Sequence, residues 1–246
     1  MPSEFSSQLN SSIRDWWRKQ SSALGPCGAA ALLGRELWAF LRDSTPERRR
    51  SRYGDMDYDW EHRVNTTAGT VDWRTRLLGV FHSPYQPTDP VAFREMMEAL
   101  PIAFGEFTFV DIGSGKGRTL LLAAEYPFRQ IVGVELLAEL HRAAEENIAA
   151  WRAQSPARVV PFSIESLCMD APDFVFPETP LVVYLFNPLP EVGLRRLMHN
   201  LEESWKQNPR AIWIVYHNPL MEQVLAESAY TRKERNDSSF SVFKMS

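Results

Sequence analysis

Apolar residues follow two different patterns along this 246-residue chain. From about residue 100 onward, short and nearly continuous apolar runs alternate with longer stretches in which apolar residues recur every three or four positions. The first pattern predicts buried strands, and the second predicts amphipathic helices. The predicted strands are Phe107–Ile112, Gln130–Glu135, Val159–Ile164, Leu181–Phe186 and Ala211–Tyr216, and the predicted helices are 89–100, Thr119–Glu125, Ala138–Ala153 and Glu191–Gln207.

Strands this apolar, separated by helices, indicate an α/β fold with a parallel sheet covered on both faces. Two late segments, Tyr230–Lys233 and Phe240–Met245, mix polar and apolar residues and predict an antiparallel hairpin at one sheet edge. We therefore expect a seven-stranded, mostly parallel, doubly wound sheet. Thr88 or Asp89 is expected to cap the helix before the first strand, with Pro90 in its first turn.

The first 88 residues are expected to form an extension, followed by the α/β domain at 89–246. Residues 13–42 have helical spacing with a break at Gly25-Pro26, whereas residues 51–88 have no clear period. The aromatic-rich part of this extension, from Tyr53 to Trp73, either forms a lid over a ligand site or extends the core. The pattern leaves both alternatives open.

Composition and charge narrow the class of protein. Hydrophobic residues make up 44% of the chain and charged residues 24%, and no apolar run approaches the ~20 residues that cross a bilayer. With no recognisable signal peptide, we expect a cytoplasmic protein. The cysteines, Cys27 and Cys168, have no ligands nearby in sequence, so neither a disulfide framework nor a metal site is predicted. The net charge of −4 argues against a nucleic-acid partner, although Arg48–Arg50 is a local basic cluster.

The first predicted strand ends in a glycine loop, Asp111-Ile112-Gly113-Ser114-Gly115-Lys116-Gly117. Such a loop lets a ligand approach the backbone at the carboxyl end of a strand, where open α/β sheets bind ligands. The dinucleotide pattern G-x-G-x-x-G fails because position 118 is Arg, and the phosphate-binding pattern of P-loop proteins fails as well. The remaining pattern is D-x-G-x-G-x-G.

That pattern resembles the signature of class I, Rossmann-like methyltransferases, which use S-adenosyl-L-methionine. Glu135 strengthens the resemblance because it ends the second strand, where a carboxylate in this fold accepts the ribose hydroxyls. The resemblance implies that Asp111 helps to hold the amino acid part of the cofactor and that Asp170 contacts the adenine, with Asp173 as a competitor. The cofactor-binding residues so implied are Asp111, Gly113, Ser114, Gly115, Gly117, Glu135, Leu136, Asp170, Ala171 and Asn187.

The fourth strand runs into Asn187-Pro188-Leu189-Pro190, where class I enzymes face the reactive methyl group. This resembles the N-P-P-[Y/F] motif of amino-group methyltransferases but lacks its final aromatic residue, which weakens adenine or cytosine as the acceptor. Asn187 either holds an amine acceptor or only caps backbone groups in a turn. Candidate catalytic residues are Asn187, Pro188, Tyr184 and His217; His217 acts as a base, orients the substrate, or has only a packing role.

A narrower resemblance is to the non-SET histone lysine methyltransferases and to small bacterial methyltransferases of undefined substrate. It rests on the stretch Phe109–Arg118, on Gly133-Val134-Glu135 and on a tyrosine-proline segment before the first strand. By this resemblance, Tyr85 and Thr88 help to cover the cofactor. The basic nucleosome-binding tail of that family is missing, and residues before 80 have no counterpart.

Three functions remain compatible with the sequence. We expect an N-directed methyltransferase acting on a protein lysine or a small amine, because an Asn-Pro strand end follows the glycine loop. An O- or C-methyltransferase of a small metabolite is the second possibility. The third is a regulatory protein that binds the cofactor without catalysis.

Overall fold

The computed structural model describes residues 58–59, 62–66, 87–154, 163–237 and 239–246, together with helical residues at 14, 17–18, 21–22, 25–28 and 30. The chain divides into two compact units, one of residues 1–56 and 68–86 and one of residues 57–67 and 87–246. In the first unit, Gly25 has a φ of 74°, a left-handed conformation, at the predicted helix break. In the second unit, the segment 57–67 joins the α/β domain, although the sequence pattern placed it in the extension.

The second unit contains the predicted alternation of strands and helices. Its strands are β1 (Thr108–Ile112), β2 (Gln130–Glu135), β3 (Ile164–Cys168), β4 (Leu181–Leu185), β5 (Ile212–His217), β6 (Thr231–Asn236) and β7 (Phe240–Met245). Its main helices are α1 (Pro90–Glu98), α2 (Arg118–Ala123), α3 (Ala138–Gln154), α4 (Glu191–Gln207) and α5 (Glu222–Ala226). Short 3-10 turns lie at Phe104–Glu106 and Ala171–Asp173.

The strands form one seven-stranded sheet in the order β3-β2-β1-β4-β5-β7-β6. All neighbours are parallel except β7, which pairs antiparallel with both β5 and β6. The predicted fold class is therefore confirmed, including the antiparallel hairpin at the carboxyl terminus. The strand order reverses between β1 and β4, and such a switch point opens a crevice at the carboxyl ends of the strands.

Each sheet face is covered by helices whose apolar stripe matches the helical period. On one face, the core joins β1, β4 and β5 to residues of α1, α2 and α3, such as Phe93, Leu120 and Ile148. On the other face, α4 buries Leu194, Leu197, Met198 and Leu201, which recur at i, i+3, i+4 and i+7. Burial on both faces explains why β1 and β4 are apolar throughout.

Strand β3 differs from its prediction. The strand that pairs with β2 is Ile164–Cys168, so the predicted range Val159–Ile164 overlaps it only at Ile164, and residues 159–162 lie outside the described residues. β3 lies at the edge of the sheet and only Ile164 is fully buried in it. An edge strand tolerates polar residues such as Glu165 and Ser166, which hid it from a search for apolar runs.

The start of α1 resolves the choice between two predicted caps. The Asp89 carboxylate accepts hydrogen bonds from the amides of Val91 and Ala92, at 2.9 and 3.0 Å, and thus acts as the N-cap. Thr88 is buried and its hydroxyl contacts Tyr184 of β4 instead. Among the described residues, no helix has the length and apolar character needed to cross a membrane.

Candidate functional site

The glycine loop follows β1 and requires glycine for two physical reasons. Gly113, Gly115 and Gly117 have φ values of 80°, 56° and 80°, which are left-handed conformations that side chains disfavour. A Cβ on Gly113 would also lie 2.6 Å from the Cβ of Pro188. The loop therefore packs directly against the Asn187-Pro188 turn. The two motifs that the sequence indicated meet at the carboxyl ends of β1 and β4.

Glu135, at the end of β2, is bonded to the loop rather than extended into solvent. Its carboxylate accepts hydrogen bonds from the amides of Gly115 and Leu137, both at 2.8 Å. Burial raises the pKa of Glu135, and these amides lower it in part. A carboxylate offers about four acceptor positions, so two remain for hydroxyl groups of a ligand. Leu136, the next residue, is exposed beside it.

Asp111 is the most strongly perturbed carboxyl group of the site. Burial raises its pKa to about 7, a hydrogen bond from the Thr119 hydroxyl opposes this, and the nearby Glu135 charge adds to it. A buried carboxyl group that titrates near neutrality is held ready for a cationic partner. The amino group of an amino acid is such a partner.

Ser114 carries a buried hydroxyl oxygen without a hydrogen-bond partner among the described residues. Its Oγ and Cβ occupy the space beside Gly133 of β2, where an added Cβ would lie 2.6 and 2.8 Å from them. Gly133 is therefore needed to let the loop approach the sheet. Because buried polar groups are normally satisfied, the orphaned hydroxyl fits a ligand in the loop.

The candidate adenine contacts lie in the turn after β3. Asp170 is the residue before the 3-10 turn Ala171–Asp173, and its side chain does not cap that turn. Its competitor, Asp173, is exposed and lies 3.7 Å from Arg196 in an ion pair. The carboxylate of Asp170 is thus the freer of the two for a ligand. Ala171 is buried in the core behind it.

The Asn187 carboxamide is used within the protein. Its Oδ1 accepts hydrogen bonds from the Tyr216 hydroxyl at 2.9 Å and from the Leu220 amide at 3.3 Å, while its Nδ2 donates to the Asn218 carbonyl at 2.7 Å. This geometry favours the alternative in which Asn187 caps a turn. Asn187 and Asn218 have φ values of 47° and 46°. The turns after β4 and β5 therefore each contain an asparagine in the left-handed region directly before a proline.

Tyr184 and His217 come together with Thr88 in one hydrogen-bond chain. The buried Tyr184 hydroxyl lies 2.8 Å from the Thr88 hydroxyl and 2.8 Å from His217 Nδ1. Burial lowers the pKa of His217 to about 4, against the opposing charge of Asp89, so its imidazole is neutral at neutral pH. The ring stacks on Phe186 with 4.1 Å between centroids, and its Nε2 has no hydrogen-bond partner among the described residues.

Sequence reasoning missed a second set of contacts around the loop. Arg118, to which the sequence assigned no contact, is 2% exposed and donates to Thr66 Oγ1 at 2.6 Å and to Asp59 Oδ1 at 3.0 Å. A buried arginine leaves no pattern in sequence because its partners are more than fifty residues away. Tyr85 lies outside the described residues, so its expected role remains a prediction.

The comparisons with known proteins bear on the fold. No family model matches the chain, and no curated protein matches it. Solved structures do match, at low identity. They include a ribosomal protein L11 methylase from Lactobacillus delbrueckii subsp. bulgaricus (17% identity, TM-score 0.43, 63% of this chain and 76% of that chain) and an RNA methyltransferase from Salinibacter ruber in complex with S-adenosyl-L-homocysteine (19%, 0.42, 65% and 92%). A SAM-dependent O-methyltransferase from Thermotoga maritima also matches (12%, 0.45, 65% and 66%).

These matches differ in their acceptors and have TM-scores below 0.5, so they assign no acceptor to this chain. None of the three is described as a histone lysine methyltransferase, and the narrower resemblance stays a prediction. The expectation against a nucleic-acid partner also stays a prediction.

Proposed function

We propose that this chain is an S-adenosyl-L-methionine-dependent methyltransferase that methylates a nitrogen atom of a protein lysine or a small amine. The observation that carries the proposal is the loop after β1, in which three glycines have a positive φ, the Gly115 amide donates to Glu135 and Gly113 packs against Pro188. The pattern, the strand order and the orphaned Ser114 hydroxyl all fit this cofactor.

The chain's own residues divide the task of holding the cofactor. Asp111, beside the loop, would pair with its amino group, Glu135 would accept the ribose hydroxyls, and Asp170 with Leu136 would line the adenine side. When bound, the cofactor supplies an electrophilic methyl group on a sulfonium sulfur. The protein's contribution is then alignment and electrostatics.

The acceptor nitrogen would meet His217 and Phe186 at the ends of β5 and β4. In the proposed arrangement, His217 Nδ1–H donates to the Tyr184 oxygen and Tyr184 donates to Thr88, so Nε2 remains an acceptor. A neutral Nε2 orients an uncharged amine through its N–H while the lone pair of the nitrogen stays free. In this arrangement His217 would hold the amine with its lone pair directed at the methyl group that the cofactor would supply, and the methylated nitrogen would release its proton to solvent.

The electrostatics of His217 favour nitrogen over oxygen as the acceptor atom. A hydroxyl group is a poor nucleophile until a base removes its proton, and an imidazole whose pKa is about 4 is a weak base. A lysine or alkyl amine is mostly protonated in water near neutral pH, but a molecule that enters the site uncharged already has a free lone pair and needs only orientation. Asn187 acts in this proposal as a positioning residue, because its carboxamide fixes the turns after β4 and β5.

Labelled cofactor and fractionated cell extract test the proposal. We expect methyl label from the wild-type protein to enter protein or small amines in a base-stable form, with His217→Ala lowering turnover much more than cofactor affinity. Label in a base-labile ester, or in RNA or DNA, would contradict the proposed acceptor. Binding of S-adenosylhomocysteine with no turnover on any fraction would favour the regulatory alternative.

A further inference from the structure

Arg118 is a charged side chain in the interior, directly after the glycine loop. It begins α2 after Gly117 and is 2% exposed. Removing a guanidinium from water is unfavourable unless charged and polar partners replace its hydration. Here Asp59 supplies the counter-charge, Thr66 accepts from Nε, and the Tyr58 ring lies 5.0 Å from Cζ. These partners come from residues 58–66.

The Asp59 carboxylate ties its own segment together as well as binding Arg118. It accepts from the Thr66 amide at 3.0 Å and from the Thr66 hydroxyl at 2.5 Å. Thr66 is therefore fully buried between the carboxylate and the guanidinium. We call the described residues 58–59 and 62–66 the strap.

A second anchor joins the strap to the loop without using charge. The buried Asn147 of α3 accepts from the Asn65 amide at 2.7 Å and donates to the Asn65 carbonyl at 3.0 Å. Its Nδ2 also donates to the Lys116 carbonyl at 3.0 Å. One carboxamide thus binds the backbone of both the strap and the glycine loop.

The two anchors, at Lys116 and Arg118, lie on either side of Gly117, one of the three glycines of the loop. Glycines lose more conformational freedom on ordering than any other residue, so a loop with three of them needs fixed neighbours to stay in one shape. The strap fixes Lys116 through Asn147 and Arg118 through Asp59 and Thr66.

From this geometry we infer that the strap is a positioning element that holds the glycine loop in its cofactor-binding shape, so that strap docking and cofactor binding favour each other. The inference rests on the proposed function. If only a fraction of molecules has the loop in the competent shape, the apparent affinity falls by that fraction. By linkage, the cofactor must stabilise the docked strap by the same factor.

Variants of the strap test one direction of this linkage. Thr66→Val removes the hydroxyl between Arg118 and Asp59 with little change in volume, and Asp59→Asn removes the counter-charge. We expect each to weaken S-adenosylhomocysteine binding about tenfold by calorimetry and to raise KM for the cofactor with kcat retained. Arg210→Met is the matched control, because Arg210 is also a partly buried arginine held by hydrogen bonds, to the Thr179 and Ser204 carbonyls, but lies just before β5. The amino-terminal ends of the parallel strands are opposite to the glycine loop.

Hydrogen exchange in the wild-type protein tests the other direction and needs no variant. The amides of Asn65 and Thr66 donate to side chains of Asn147 and Asp59, so their exchange reports strap docking. We expect S-adenosylhomocysteine to slow both about as much as it slows the loop amides, while amides of β7 change little.

The outcomes separate this inference from the proposed function. If the wild-type protein binds no S-adenosylhomocysteine, the proposed function fails and this inference fails with it. If the wild-type protein binds and the strap variants bind equally well, only the strap inference is overturned. The same holds if an Arg210→Met protein of equal thermal stability binds S-adenosylhomocysteine as weakly as the strap variants do. Unchanged exchange at Asn65 and Thr66 on binding overturns it independently.

Discussion

Single residues decide the shape of the glycine loop, and Gly113 shows how. It has a positive φ and lies against Pro188, so it serves both the backbone turn and the contact between the strand ends of β1 and β4. The sequence pattern predicted that glycine is needed for ligand approach. The structure adds that the turn after β4 needs it as well.

We expect Gly113→Ala to weaken cofactor binding by at least about tenfold and to destabilise the fold by on the order of 1–3 kcal/mol, because φ is strained and the new Cβ meets Pro188. Calorimetry and urea unfolding measure the two effects. Gly105→Ala is the control, since its Cβ would lie an ordinary 3.5 Å from the Pro127 carbonyl. Equal behaviour of the two variants would contradict the proposed role of Gly113.

Some site residues could be predicted from the sequence, but their partners could not. Glu135 was predicted because it ends an apolar strand, and Asp111 because it begins the D-x-G-x-G-x-G pattern; both signals are visible in the sequence. The partners of Asn187 were not found, since Tyr216 and Leu220 reach it only through the pairing of β4 with β5. The burial of Arg118 was not predicted, because an arginine in a sequence gives no sign that it is buried.

At the scale of elements, a loop and two strands bring together the residues that we propose for the acceptor side of the site. Thr88 precedes α1, Tyr184 lies in β4 and His217 ends β5, and their hydrogen bonds cross all three. The strands and helices themselves followed from hydrophobic period, apart from β3, whose edge position removed the apolar signal. The contacts between elements depend on register, which the period alone does not give.

Tyr184→Phe tests this chain of hydrogen bonds at little risk to the core. The ring keeps its packing against Phe93 and Phe109, so we expect a stability loss of only about 1 kcal/mol. Turnover should fall about tenfold or more as His217 loses its orientation, with cofactor affinity unchanged. Tyr126→Phe, in the same aromatic cluster, is the control and should retain full turnover. An active Tyr184→Phe protein would remove Tyr184 from the proposed mechanism.

At the scale of the whole molecule, two buried groups oppose each other in the pH dependence of stability. The pKa of His217 is lowered from 6.5 to about 4, so the unfolded chain binds its proton more readily, and this contribution to stability is lost as pH falls from 6.5 towards 4. The pKa of Asp111 is raised from 3.8 to about 7, so its contribution is lost as pH rises from 3.8 towards 7. In the shared window the two slopes largely cancel.

Removing one group or the other should therefore change the pH dependence of the free energy of unfolding in opposite directions. Relative to the wild-type protein, His217→Gln should lose stability with rising pH and Asp111→Asn should gain it, by up to about 1.4 kcal/mol per pH unit. Urea unfolding at about pH 4.5 and pH 6.5 measures both differences. Slopes of the same sign in the two variants would show that burial does not shift these groups as described.

The strap affects where a shortened form of this chain should begin. Periodicity divides the chain near residue 88, and a domain trimmed at that point would look complete by its strands and helices. It would also lack Asp59, the carboxylate that pairs with the buried Arg118 directly after the glycine loop. Any shortened version, circular permutant or fusion of this protein should therefore keep the short stretch around Asp59 and Thr66, although that stretch contributes nothing to the sheet.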